Sequence, residues 1–382
     1  PAGPASRAEL AQVLYNFSKL TPTAAEGAAP AAVEGKITLI EKYGNIDLDI
    51  MAINLYAAGY KAGDVVTVTV GEHTLDMPLV TNYSDVDTGS LVARDATASS
   101  SPYVIVAINM GDFAKTYGAK VGDTVKIELK TAGGYLAEYE AHQVTRTNNR
   151  ADYSSDAVFA NFREIALGDI APGVLYRTSS PINPEIGRAA YADKLIEGAG
   201  IATVVNLADS AEEIAGYLAA DSFASPYYKS LYEAGSVVTL SMGVDFTADA
   251  FQAKLKEGIE FILAHEGPYA FHCTEGKDRA GFVAILLESL MGATKDEIVA
   301  DYMVTYENYY HVEKSSDQYA TISRIASDIL CEISGLDKGA DLSKVDLVKA
   351  ATNYLTGIGL TSAQVSSLKT ALSTPIAAEK AA

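Results

Sequence analysis

Phe271-His272-Cys273-Thr274-Glu275-Gly276-Lys277-Asp278-Arg279-Ala280-Gly281 decides how the second half of this chain is read. Pro268-Tyr269-Ala270-Phe271 closes a short apolar run before it, and Phe282-Val283-Ala284-Ile285-Leu286-Leu287 opens a strongly apolar helical pattern after it. The stretch is therefore a strand-to-helix turn. A cysteine there faces the free N–H groups and positive dipole end of a helix, which favours the thiolate. Five residues separate Cys273 from Arg279, enough for the loop to curl until its amides and the guanidinium converge on one tetrahedral anion. Phosphate fits that description. Sulfur would attack phosphorus, a phosphocysteine would form, and water would hydrolyse it. Arg279 and the loop amides would stabilise the charge that spreads over the equatorial oxygens.

His-Cys-x-x-Gly-Lys-Asp-Arg-x-Gly resembles the signature of the cysteine-dependent protein tyrosine phosphatase superfamily, in the bacterial branch with Lys-Asp before the Arg. Asn161-Phe162-Arg163-Glu164, Leu175-Tyr176-Arg177-Thr178-Ser179, Asp301-Tyr302-Met303-Val304-Thr305 and Tyr354 to Thr361 resemble further segments of that family. The resemblance implies a phosphatase of phosphotyrosine or of phosphoinositides, with Cys273 as nucleophile and Arg279 as phosphate ligand. It also implies substrate contacts from His272, Thr274, Glu275, Gly276, Lys277, Ala280 and Gly281, and needs no metal or other cofactor. The leaving oxygen requires an acid: Asp245, in Met242-Gly243-Val244-Asp245-Phe246, has the spacing of a family loop acid, Asp278 lies in the motif itself, and Asp209 is a third candidate. Ala280 stands where many members carry Ser or Thr, which implies slow hydrolysis of the phosphoenzyme. Asn206 and Ala208 replace an acid and a base of the recurrent Asp-Leu-Arg.

The fold expected is α/β, with a small all-β barrel ahead of a tyrosine-phosphatase-like domain. Ile201 to Leu207 and Ser236 to Leu240 are continuous apolar runs, as buried parallel strands are, and helical patterns such as Asp249 to His265 and Thr294 to Tyr306 alternate with them. These imply a central, mostly parallel sheet flanked by helices over 149–382, with the Cys273 loop at the carboxyl end of a central strand. Residues 35–148 are different: Lys36 to Ile40, Asp64 to Val70, Tyr103 to Ile108 and Thr124 to Leu129 alternate as strands between Gly, Asn and Asp turns. Tyr43 to Asp47, Tyr83 to Val86 and Ile108 to Val125 resemble the C-terminal barrel of S-adenosylmethionine hydroxide adenosyltransferases, which implies the barrel and no adenosyl chemistry, since that family's catalytic part is not in the chain. Residues 21–34 read as an Ala- and Pro-rich linker. Residues 1–20, with a stripe at Leu10, Val13, Leu14 and Phe17, resemble the end of an S-layer homology repeat and imply attachment of the full-length protein to a cell-wall polymer.

The 382 residues are 48% hydrophobic and carry a formal net charge of −20. That balance excludes nucleic acid as a default partner. A phosphorylated substrate is itself an anion, so a local positive pocket is required, with Lys277 and Arg279 its first candidates. Two cysteines make no disulfide framework, and both thiols are expected free. Asp47, Asp49, Asp85 and Asp87 match no compact calcium loop. No run is long enough to span a membrane. The expected function is phosphomonoester hydrolysis at the bacterial cell surface, on phosphotyrosine first and on a phosphoinositide or inositol polyphosphate second. A surface binding or adhesion protein with weak catalysis is the reading of another class.

Overall fold

The computed structural model describes residues 30–376, apart from 87, 88, 100 and 110. The S-layer-like segment 1–20 and most of the linker lie outside the described residues. Two compact units are present, divided between Val144 and Thr145.

Alternation builds the first unit. Val66, Val68 and Val70 are buried while Thr67 and Thr69 between them are not, and the same period of two puts Ile46, Leu48 and Ile50 inside. The seven strands are β1 (Val33–Ile40), β2 (Ile46–Met51), β3 (Val65–Val70), β4 (His73–Val80), β5 (Leu91–Asp95), β6 (Tyr103–Ile108) and β7 (Thr124–Thr131). They close a barrel in the order β1-β2-β6-β5-β4-β3-β7. Among the described strands of this barrel, only β4 and β5 pair in parallel. A bulge in β1 between Ile37 and Leu39 resets the register, which is why Ile37 is buried while Leu39, two residues on, is 52% exposed. β1 begins at Val33, so the barrel takes in the last two residues of the expected linker.

The second unit is a five-stranded sheet of β8 (Arg163–Ile165), β9 (Leu175–Thr178), β10 (Thr203–Asn206), β11 (Val237–Thr239) and β12 (Tyr269–His272), in the order β11-β10-β12-β9-β8. All neighbours are parallel except the edge pair β8 and β9. Every residue of β10 and β12 is buried, as strands covered on both faces must be. On one side Val204, Val237 and Ala270 pack against Ile196, Ile214 and Tyr228, from the helices Ala189–Gly198, Ala211–Ala219 and Pro226–Glu233. The helix Asp278–Leu290, buried from Ala280 onward, packs against the helices Lys295–Tyr310 and Leu347–Gly357. β12 is the middle strand, and the chain leaves its carboxyl end straight into the Cys273 loop. Arg146, Thr147 and Asn148 belong to this unit: the buried Arg188 donates to the Thr147 carbonyl at 2.9 Å and to the Asn148 side chain at 2.7 Å. Among the described residues no helix is long and apolar enough to cross a membrane.

Candidate active site

Cys273 follows the last residue of β12 and is 3% exposed, with a free thiol. Four residues separate it from the first turn of the Asp278–Leu290 helix. What shapes this loop is a set of donors that hold its carbonyls from outside. Ser180 N–H donates to the Thr274 carbonyl at 3.0 Å. The Asn161 amide donates to the carbonyls of Glu275 and Gly276 at 3.1 and 3.3 Å. Arg177 Nη2 donates to Gly276 at 2.8 Å and to Lys277 at 3.4 Å. In a trans peptide the N–H points opposite to the C=O, so the amides of Glu275, Gly276, Lys277 and Asp278 face away from these donors. Among the described residues, none of those four amides donates to a protein acceptor. The turn itself depends on Gly276, whose φ of +71° lies in the left-handed region and whose Cβ, if present, would stand 2.5 Å from the Thr178 carbonyl oxygen.

The outer donors are fixed in turn by charge. Asp301 takes Arg163 Nε at 2.8 Å and Arg177 Nη1 at 3.0 Å. Burial would raise the Asp301 carboxyl, but Arg163 and Arg177 together hold it down to about 2. Burial lowers Arg177 to about 10, Arg163 adding to the shift and Asp301 opposing it. Asn161, itself at φ 50° and fully buried, is gripped by Arg163 Nη1 at 2.9 Å. The chain of contacts runs from a carboxylate through two guanidiniums and an amide to the loop.

Arg279 reaches back across the loop. Its Nη2 donates to Thr274 Oγ1 at 3.3 Å and its Nη1 to the Met242 carbonyl at 2.9 Å, while Nε is buried and finds no partner among the described residues. The Met242 bond brings the segment after β11 to the site, and Phe246 of that segment stacks on Phe282 at 4.8 Å. Asp245 sits there exposed, accepting from the Thr247 hydroxyl at 2.7 Å and its amide at 3.0 Å, and these bonds hold it below the ordinary carboxylate range. Asp278 begins the helix with its side chain half exposed, 3.8 Å from the Lys277 ammonium. Asp209 is buried beside Asn206 and Asn183, which donate to it at 3.0 and 3.4 Å. Asn206 also accepts from the amides of Ala208 and Asp209, at 3.0 Å each, so it caps the turn after β10. His272 is fully buried and burial lowers it to about 4, leaving a neutral ring whose Nδ1 lies 3.3 Å from the Cys273 carbonyl. Ala280 is buried, and a Cβ on Gly281 would meet the Tyr302 ring at 2.8 Å, so glycine allows that close packing.

Glu275 and Lys277 turn to one side of the loop, where Glu275 pairs with Arg146 and both groups meet Tyr310. Neither Arg146 nor Tyr310 was a sequence-level candidate. Arg146 lay in the segment assigned to the barrel, and its partner is 129 positions away. Arg177, which on sequence could order the pocket through a carboxylate or form a structural ion pair, pairs with Asp301 and also binds the loop's carbonyls, as does Asn161; neither contact with the loop backbone is visible in their segments.

A central parallel strand thus feeds a Cys-x5-Arg loop and a buried helix. Residues 158–374, more than half of the chain, match the profile of the tyrosine phosphatase family, and the chain belongs to that family. Residues 35–126 match the S-adenosylmethionine hydroxide adenosyltransferase C-terminal domain, in agreement with the barrel. A tyrosine-protein phosphatase of Nostoc commune is 40% identical over 70 residues, which cover 18% of this chain and 24% of that protein. A putative tyrosine-protein phosphatase of Cupriavidus necator is 54% identical over 33 residues, 9% of this chain and 12% of that one. The matches thus span a quarter or less of these relatives' lengths. An uncharacterized conserved protein of Thermotoga maritima shares 27% identity with a TM-score of 0.24, over 25% of this chain and 35% of its own.

Proposed function

We propose that the second unit hydrolyses phosphomonoesters through a phosphocysteine, with phosphotyrosine in protein as its substrate. The observation that carries this reading is the outward restraint of four successive loop carbonyls, which leaves four amides beside Cys273 and Arg279 for an oxyanion. Family membership and the relatives' names support a phosphatase. In the mechanism Cys273 sulfur attacks phosphorus in line with the ester oxygen, the S–P bond forms as the P–O bond breaks, and water then cleaves S–P to release phosphate. Arg279 and the amides bind the equatorial oxygens throughout. The departing oxygen takes its proton from Asp245 or Asp278. Both Thr247 bonds fall on Asp245 Oδ1, which leaves Oδ2 to carry a proton, while Asp278 stands within the loop. The His272 ring, with Nδ1 3.3 Å from the Cys273 carbonyl and its pKa lowered to about 4 by burial, is neutral at pH 7. No step draws on a metal. The same reading puts the protein at the bacterial cell surface, on the resemblance of residues 1–20 to an S-layer homology repeat.

The test is hydrolysis of an aryl phosphate and of a phosphotyrosine peptide. Wild-type protein is expected to release phosphate from both, and Cys273→Ser to release none while still binding inorganic phosphate. Full activity in the serine variant would overturn the mechanism.

A further inference from the structure

Glu275 lies two positions after Cys273, and its carboxylate gathers the two cations that a second substrate phosphate would need. Arg146 Nε donates to Oε1 at 2.6 Å, and Nη2 closes on the same oxygen. The Lys277 ammonium lies 3.5 Å from Oε2, to which the Tyr310 hydroxyl donates at 3.1 Å. Lys277 also donates to that hydroxyl at 3.4 Å and stands 5.5 Å from the ring centre. Side-chain exposures of 19% for Arg146, 20% for Glu275 and 16% for Lys277 take the group largely out of water, where salt screens little. Burial would lift the Glu275 carboxyl, yet Lys277 and Arg146 keep it below the ordinary range. The charge toward which Lys277 and Arg146 are drawn is thus part of the protein.

The surroundings of Arg279 have the opposite sign. Asp245 is exposed and ionised on the segment that Arg279 holds. Glu213 lies near enough for the Arg279 charge to contribute to its lowered pKa, behind its own bonds to Ser210. A phosphate ester carrying one dianion meets Arg279 and the amides.

We propose that Glu275 is a specificity-determining residue: as the internal counter-ion of Lys277 and Arg146, it favours monophosphate esters of the phosphotyrosine type by denying inositol polyphosphates any gain in binding from their extra phosphates. The proposal rests on the phosphatase reading for its chemistry, but its test reads binding. Inorganic phosphate and inositol hexakisphosphate are titrated calorimetrically into the whole chain. Wild-type protein should bind the two within about tenfold of each other, since Glu275 and, 3.8 Å from the Lys277 ammonium, Asp278 offset the charges of Lys277 and Arg146 and leave no net positive charge for the extra phosphates. In Glu275→Gln, hexakisphosphate should tighten by about tenfold or more relative to phosphate, and adding Lys277→Gln should remove the gain. Wild-type binding of hexakisphosphate about 100-fold tighter than phosphate, or an unchanged ratio in Glu275→Gln, would overturn the proposal. The wild-type titration decides even where a variant does not fold. A protein that binds phosphate with this ratio and hydrolyses no aryl phosphate would remove the enzymatic reading and leave the role of Glu275 standing.

Discussion

Gly276→Ala isolates the claim that the loop's shape makes the site. At this position φ is +71° and the added methyl would lie 2.5 Å from the Thr178 carbonyl oxygen and 2.9 Å from the Ser179 nitrogen. Carbon settles against a carbonyl oxygen at about 3.3 Å, so the loop must retreat by roughly 0.8 Å. Its neighbour cannot yield instead, because Thr178 ends β9 in register with His272 of β12 and Ser179 N–H is bonded to the Ala160 carbonyl. The retreat takes the Gly276 carbonyl from Asn161 and Arg177 and rotates the amides on either side. A misplacement of about 1 Å costs on the order of 100-fold in rate, so kcat/KM on an aryl phosphate should fall by roughly 50–100-fold. The left-handed conformation costs an alanine about 1–2 kcal/mol, which lowers Tm by only a few degrees in a unit of this size. Steady-state kinetics with a thermal melt on the same sample checks both. Wild-type turnover with wild-type Tm would refute the argument that four restrained carbonyls aim the phosphate-binding amides.

Two further outcomes follow from the carboxyls. Asp245→Asn and Asp278→Asn, made separately, should differ: the residue that protonates the leaving group should lose about 100-fold or more on a poor leaving group, far less on a good one, with the alkaline limb of the kcat profile removed. If both variants keep the wild-type profile, neither is the acid. Burial first, and Asp301 second, push Glu288 well above its ordinary 4.5. The folded state therefore keeps a proton that the unfolded chain releases, and this contribution, fully present below that value, is lost at up to about 1.4 kcal/mol per pH unit as pH rises toward the folded pKa. Glu288→Gln removes that slope, so denaturant unfolding should show the variant gaining on wild type as pH rises above the ordinary 4.5. Parallel stability profiles would contradict a neutral Glu288.

How much of this was legible in the chain depends on the range over which each signal acts. Cys273 and Arg279 are held by a local turn, and a strand, a loop and a helix in sequence are enough to announce it. The parallel strands β10, β11 and β12 were likewise readable, because a strand covered on both faces is simply an apolar run. In the barrel, β2 alternates Ile46, Leu48 and Ile50 with Asp47 and Asp49, but its acids drew attention to the turns. β4 carries Pro78 and an exposed amino-terminal half, features that weaken a strand signal. The frame of the site was hidden for a different reason. Asn161, Arg163, Arg177 and Asp301 act through hydrogen bonds to one another and to backbone oxygens 99–138 positions away, and a carbonyl has the same chemistry at every residue. A side chain that recognises backbone leaves no complementary residue in the sequence to betray it. Charge is only half legible in the same way. Lys277, beside the nucleophile in an acidic protein, reads as a ligand for phosphate, but its approach to Glu275, and that residue's pairing with Arg146 129 positions away, do not show in the motif. On the proposal made for Glu275, the anion a loop selects depends on how many of its cations the protein has already neutralised, not on their number alone.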